Sequence, residues 1–136
     1  CQYIDNVAMQ IITDPKQYDV ILTENLFGDI LSDEACAIMG SIGLMASVSV
    51  GDSKALFEPI HGSYPQAAGK DIANPLATVL SAAMMFEDAF GLKEEAELIR
   101  EVVNQSLAAG IVTEDLSGKN KAYKTTEVGD WLAKNI

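Results

Sequence analysis

Basic residues are scarce in this chain: 9 Lys and Arg stand against 20 Asp and Glu, and there is one histidine. With a formal net charge of -11 and no run of Lys or Arg, nothing in it can follow a phosphate backbone, which excludes nucleic acid as a partner. The acidic excess reads either as plain solubility or as carboxylates gathered around a cation. Cysteine is nearly absent as well. Cys1 and Cys36 sit in unrelated contexts without metal-ligand spacing, which fits a reducing, cytoplasmic setting. No apolar run, the stretch around Ala82 to Phe86 included, approaches the ~20 residues of a membrane span, so no transmembrane segment is expected. There is no Gly-x-Gly-x-x-Gly fingerprint, Walker loop, nucleophile elbow or zinc pattern, and no internal repeat or low-complexity tract. The opening Cys-Gln-Tyr-Ile-Asp-Asn lacks an initiator Met and a signal pattern and leads straight into a helical rhythm, so it reads as a cut end.

What is present is ordinary globular material, 49% apolar and 21% charged, enough to build a core. Tyr3, Ile4, Val7, Met9, Ile11 and Ile12 recur at helical spacing until Asp14-Pro15 stops them. Asp19 to Thr23 is a short β-branched run with the pattern of a buried parallel strand. Gly28 then precedes a helix predicted over 29–39 and closed by Gly40, so this part reads as strand, turn, helix. An extended segment follows within 41–51, and a strand over 55–58 runs into Pro59-Ile60-His61-Gly62-Ser63. Asn74-Pro75 opens a helix with a wide apolar face, stopped by Gly91. A second amphipathic helix spans 92–109 before Gly110. Residues 114–121 read as a surface loop, and a last short helix covers 126–133.

Two constellations can carry chemistry. Asp29 and Asp33 lie four residues apart in a predicted helix, so both carboxylates leave one face about a turn apart. Like charges so placed repel by a few tenths of a kcal/mol unless a cation lies between them, and a hard divalent ion with oxygen ligands suits the pair. The alternative is a solvated helix face; the predicted strand just before the pair favours a ligand, because open α/β sheets bind at strand ends. Asp5 is a possible third oxygen ligand or a helix N-terminal carboxylate complementing the macrodipole. The second constellation is the turn-rich loop from Glu58 to Pro75. Gly62 and Gly69 permit close backbone approach, His61 and Ser63 offer directional hydrogen bonds, and Asn74 carries a carboxamide able to pair with a base edge. A lone loop histidine is equally an ordinary surface side chain.

Taken together, Asn25-Leu26-Phe27-Gly28-Asp29-Ile30-Leu31-Ser32-Asp33-Glu34 and Phe57-Glu58-Pro59-Ile60-His61-Gly62-Ser63, continuing to Ile72-Ala73-Asn74-Pro75, resemble the isocitrate/isopropylmalate β-decarboxylating dehydrogenases. The likeness runs from Asp5 to Trp131. Phe before Gly28 and Ser after Gly62 resemble the 3-isopropylmalate branch, since isocitrate enzymes usually carry Tyr or Asn and Thr there. The resemblance implies an α/β class, with parallel or mixed sheet strands flanked by helices. It also implies NAD-dependent oxidative decarboxylation of 3-isopropylmalate to 4-methyl-2-oxopentanoate in leucine biosynthesis, with isocitrate- or tartrate-type substrates as alternatives. Mg²⁺ or Mn²⁺ is implied at Asp29 and Asp33, joined in a homodimer by Asp5 of the partner, which also meets substrate; the ion would act as a Lewis acid. NAD is implied at Glu58, His61, Gly62, Ser63, Tyr64, Gln66, Gly69 and Asn74, with Asn74 near the adenine and Glu58 near the nicotinamide end. Gln66 departs from the pattern. It stands where an NAD-selecting aspartate is expected and cannot repel a 2′-phosphate, but Gln66-Ala67 also lacks the Lys-Tyr pair of NADP-dependent relatives, so NAD remains the expectation. Tyr64 stands where alanine is common.

The resemblance further implies that residues 1–39 end a dimer-forming, metal-site domain and that 40–136 form the C-terminal half of a cofactor-binding domain. A domain-sized stretch of roughly two hundred residues, carrying the catalytic side chains, is expected upstream. The chain by itself is then expected to be inactive, and the alternative reading of it is a non-catalytic piece whose exposed helices self-associate.

Overall fold

A computed structural model describes all 136 residues, which divide into two compact units, Cys1–Ile42 and Gly43–Ile136. The first unit is helical. Helix α1 (Ile4–Thr13) buries Val7 and Ile11, one turn apart on one face, and ends at Asp14 because Pro15 cannot continue it; a 3₁₀ turn, Pro15–Gln17, follows. Helix α2 (Asn25–Met39) packs against α1, buries Leu31 and Cys36, and stops at Gly40, whose φ of 98° is the left-handed conformation that glycine adopts without a Cβ penalty.

Two expectations for this unit need correction. Residues 19–23 form no strand and are not buried: the segment is irregular, and Leu22 is 98% exposed. A parallel strand exists only through its neighbours, and Cys1–Ile42 contains no other strand to bond with it. The helix also starts at Asn25, before Gly28 instead of after it. Gly28 lies in its first turn, its N–H donating to the Glu24 carbonyl at 2.8 Å, and a Cβ there would come within 3.1 Å of the Thr23 methyl.

The second unit is built on a hairpin. Strands β1 (Ala46–Val50) and β2 (Ala55–Pro59) pair antiparallel, with Val48 opposite Phe57 and Ser47 opposite Glu58. The sheet in this chain is thus antiparallel, where parallel or mixed strands were expected, because four residues join the strands and a parallel crossover needs a dozen or more. Helix α3 (Leu76–Asp88) packs on both strands and on α4 (Lys93–Ala109), and α4 packs on α6 (Thr125–Asn135). Leu76, Val102, Val103, Val128 and Leu132 form the central cluster, closed over by Trp131, Tyr123 and Leu116. Ala83 and Ala96, both fully buried, let α3 and α4 approach closely beside Ile99. The predicted surface loop over 114–121 opens instead with a helical turn, α5 (Glu114–Ser117), because Leu116 docks on the core and Thr113 and Ser117 are buried.

The start of α6 is finished by a residue far away in sequence. Its N-cap position is Lys124, whose side chain has no acceptor to offer. Asp71 supplies one: Oδ1 accepts from the Thr126 N–H at 3.0 Å, Oδ2 from the Thr126 hydroxyl at 2.7 Å, and the Asp71 carbonyl from the Thr125 N–H at 3.1 Å. The Thr125 hydroxyl donates to the Ala73 carbonyl at 2.5 Å. These bonds hold Asp71 at φ 57°, left-handed for a residue with a Cβ, a conformation that Asp tolerates better than most. The Thr126 hydroxyl and amide, with a smaller share from Lys124, hold the Asp71 carboxyl below the usual carboxylate range. A depressed native pKa stabilises the fold fully above about pH 4 and loses its effect as pH falls through the lowered value. Asp71→Ala is therefore expected to lower Tm near neutral pH by an amount that shrinks in strong acid. Thermal unfolding of both proteins across pH 2 to 7 checks this, and a pH-independent difference would contradict it.

Candidate functional site

Asp29 and Asp33 are the fifth and ninth residues of α2, both exposed and one turn apart on one face, as four-residue spacing in a helix requires. Ser32 between them returns its hydroxyl to the Asp29 carbonyl at 3.0 Å. Asp33 lies close enough to Cys36 to reinforce the rise in that thiol's pKa, which burial causes first. Asp5 stands in the first turn of α1, exposed, with its Oδ1 accepting from the Asn6 N–H at 2.8 Å. No group of three or more His, Cys, Asp or Glu side chains is gathered to hold a metal, so within one chain the three carboxylates do not form a ligand set. The Asp29 and Asp33 pair offers hard oxygen donors of the type a divalent cation takes, but two are fewer than the six or more that Ca²⁺ or Mg²⁺ surrounds itself with. The same unit also exposes apolar side chains: Val20, Leu22, Leu26 and Ile30 are all more than half exposed.

In the second unit the loop after β2 divides into an open half and a pinned half. The Ile60 N–H donates to the Met45 carbonyl, setting the exit from the hairpin. His61 is half-buried, with Nδ1 3.0 Å from the Gly62 carbonyl. A carbonyl only accepts, so in this contact Nδ1 is the donor. Gly62, Ser63, Tyr64 and Gln66 are exposed, with Tyr64 at 60%, while Ala67 in the 3₁₀ turn Pro65–Ala67 is buried and anchors them. A Cβ on Gly62 would meet nothing within 4 Å, so the backbone there faces open space. Gly69 takes φ 74°, which turns the chain towards Asp71. Glu58 is exposed on β2.

Asn74 closes the pinned half. Its Oδ1 accepts from the Leu76 N–H at 3.0 Å, an Asx turn at the head of α3, and its Nδ2 donates to Asp115 Oδ2 at 2.9 Å. Asp115 Oδ1 accepts from the buried Thr113 hydroxyl at 2.5 Å. Gly43 fills the remaining side: a Cβ there would sit 2.7 Å from Asn74 Nδ2. The sequence reading singled out Asn74 but missed Gly43, Asp71 and Asp115. Thr113-Glu114-Asp115 carries the signal of a helix start, a capping hydroxyl followed by acidic residues, and nothing in that signal points 41 residues back to Asn74.

Residues 1–132 match the isocitrate/isopropylmalate dehydrogenase family. The chain belongs to that family. It is 56% identical over 127 residues to the 3-isopropylmalate dehydrogenase of Shouchella clausii, covering 92% of this chain and 35% of that enzyme. The homoisocitrate dehydrogenase of Methanocaldococcus jannaschii is 54% identical over 133 residues, covering 98% and 37%. Among solved structures, an isocitrate dehydrogenase from Methylococcus capsulatus superposes with a TM-score of 0.88 at 36% identity, over 98% of this chain and 39% of the other. The α/β fold of the dehydrogenase family is therefore the fold of this chain, which spans little more than a third of the curated relatives' length. No helix is long and apolar enough to cross a membrane.

The close fit of Gly43 against Asn74 gives a direct check on the pinned half of the loop. Gly43→Ala is expected to cost about 1–3 kcal/mol, the range for an overpacked site. It should also displace the Asn74 side-chain amide, read as chemical-shift changes at Asn74 and Leu76. A variant as stable as the parent with those resonances unmoved would contradict the contact.

Proposed function

We propose that the full-length protein carrying this chain oxidises 3-isopropylmalate with NAD and decarboxylates the product to 4-methyl-2-oxopentanoate. The observation that carries this reading is the match, at 50–56% identity, to several relatives named 3-isopropylmalate dehydrogenase. Phe27-Gly28-Asp29 and His61-Gly62-Ser63 fit that branch. The loop displays its exposed Gly62, Ser63, Tyr64 and Gln66 on an anchored base, which suits an elongated polar ligand such as a dinucleotide. Asp29 and Asp33, with the partner's Asp5, would hold Mg²⁺ or Mn²⁺, which when bound supplies Lewis-acid polarisation of substrate oxygen. His61 would offer its outer ring nitrogen to the cofactor, and Asn74 would meet the adenine. Residues up to Met39 belong on this reading to a dimer-forming domain and the remainder to the cofactor domain. The exposed Leu22, Leu26 and Ile30 support it, since apolar side chains so placed call for a covering surface. On this reading the protein is a homodimer that works in the cytoplasm.

A second reading, homoisocitrate as substrate, is favoured by the similarity to the Methanocaldococcus enzyme. The two are separated by assaying the full-length protein with 3-isopropylmalate, homoisocitrate, isocitrate and tartrate in the presence of Mn²⁺. NADH formation from 3-isopropylmalate at the highest kcat/KM is expected, with none from the 136-residue chain alone. Preference for a tricarboxylate would overturn the primary reading. Asp29→Asn in the full-length protein should weaken Mn²⁺ binding and lower kcat sharply while leaving the unfolding transition in place.

Gln66 bears on the cofactor. A glutamine can hydrogen-bond ribose hydroxyls but has no charge to repel a 2′-phosphate. Gln66→Asp is expected to raise the NAD over NADP ratio of kcat/KM about tenfold or more, the effect of one well-placed charge. An unchanged ratio would remove Gln66 from the ribose contact.

A further inference from the structure

We propose that Asp115 is a positioning residue that fixes which edge of the Asn74 carboxamide faces a bound purine, and so sets the preference for adenine over hypoxanthine. This deepens the NAD reading of the loop and rests on it.

A carboxamide is nearly symmetrical in shape, so exchanging its O and N costs little unless its neighbours discriminate. Here both neighbours do. The Leu76 N–H at the head of α3 can only donate, and Oδ1 faces it at 3.0 Å; a carboxylate can only accept, and Nδ2 faces Asp115 Oδ2 at 2.9 Å. Exchange would set N–H against N–H and oxygen against oxygen, which costs both bonds and adds repulsion. Gly43 closes another side, since its backbone lies so near that a Cβ would be 2.8 Å from Asn74 Cγ. Asp115 is held in turn by the Thr113 hydroxyl at 2.5 Å, and Thr113 is 1% exposed. The chain Thr113, Asp115, Asn74, Leu76 therefore allows one orientation.

Asn74 is only half-buried, and its amide has a second N–H and its carbonyl a second lone pair beyond these bonds. Adenine presents an acceptor at N1 and a donor at N6; hypoxanthine presents a donor at N1 and an acceptor at O6. A carboxamide free to flip serves either base equally. One locked by Asp115 serves only one of them.

The test uses the 136-residue chain, with AMP and IMP as probes and the Asn74 side-chain amide resonances as the readout. In the unaltered chain AMP is expected to shift those resonances and to bind about tenfold more tightly than IMP, the worth of a hydrogen bond. In Asp115→Asn, whose amide can face Asn74 either way, the AMP to IMP ratio should fall towards one. Thr113→Val, which leaves the carboxylate but removes its anchor, should lower the ratio part of the way. It decides the matter if Asp115→Asn does not fold, as judged by backbone amide dispersion. If AMP leaves Asn74 unmoved in the unaltered chain, the cofactor reading of the loop fails and takes this inference with it. If that chain discriminates and the folded variants discriminate equally, only the role of Asp115 is overturned.

Discussion

The second unit depends on one interaction that crosses 55 residues: the Asp71 carboxylate seated on the first turn of α6. A helix start presents amides without intrahelical partners and a partial positive charge, and a lysine at its N-cap can neutralise neither. Asp71 does both. In doing so it tethers the loop after β2 to a helix whose Val128 and Leu132 are part of the core. The left-handed backbone at Asp71 is sustained by bonds made to the same two threonines. Strain and cap are thus two sides of one arrangement.

The loop owes its division into a fixed and an open half to this tether. Beyond Ala67 every polar group that matters is engaged: Asp71 with Thr125 and Thr126, Ala73 with Thr125, Asn74 with Leu76 and Asp115. Before Ala67, Gly62, Ser63, Tyr64 and Gln66 face solvent. A loop fixed at its base and open at its tip can present groups to a ligand without the entropy cost of ordering the whole segment on binding. The first unit has no such framework. Its two aspartates are held in register by α2 alone, and its irregular segment 19–23 has no sheet to join.

Much of this was legible in the residues. The helices before Pro15, before Gly40 and before Gly110 end where proline and glycine chemistry requires, and the apolar spacing of Leu76, Val79, Leu80 and Ala83 marks the buried face of α3. The two motifs that resembled the dehydrogenase family were sufficient to place the chain in it, as the match over residues 1–132 shows. The strand expected over 19–23 failed because a strand is a property of a pair, and no pairing partner is encoded in a run of β-branched residues. The loop expected over 114–121 failed because Leu116 packs on a core built from helices on both sides of it in the chain.

By itself the sequence determined the local and the chemical: helix ends, apolar faces, the spacing of Asp29 and Asp33, and the residue types along the loop. Those follow from backbone sterics, periodicity and side-chain chemistry acting within a few residues. Only the tertiary structure decided that Asp71 caps α6, that Asp115 accepts from Asn74, and that Asn74 lies against Gly43 so closely that a Cβ there would clash. Each of these joins groups 31 to 55 residues apart. A hydrogen bond at 2.9 Å is set by where the folded core delivers its two ends, and no spacing rule along the chain contains that distance.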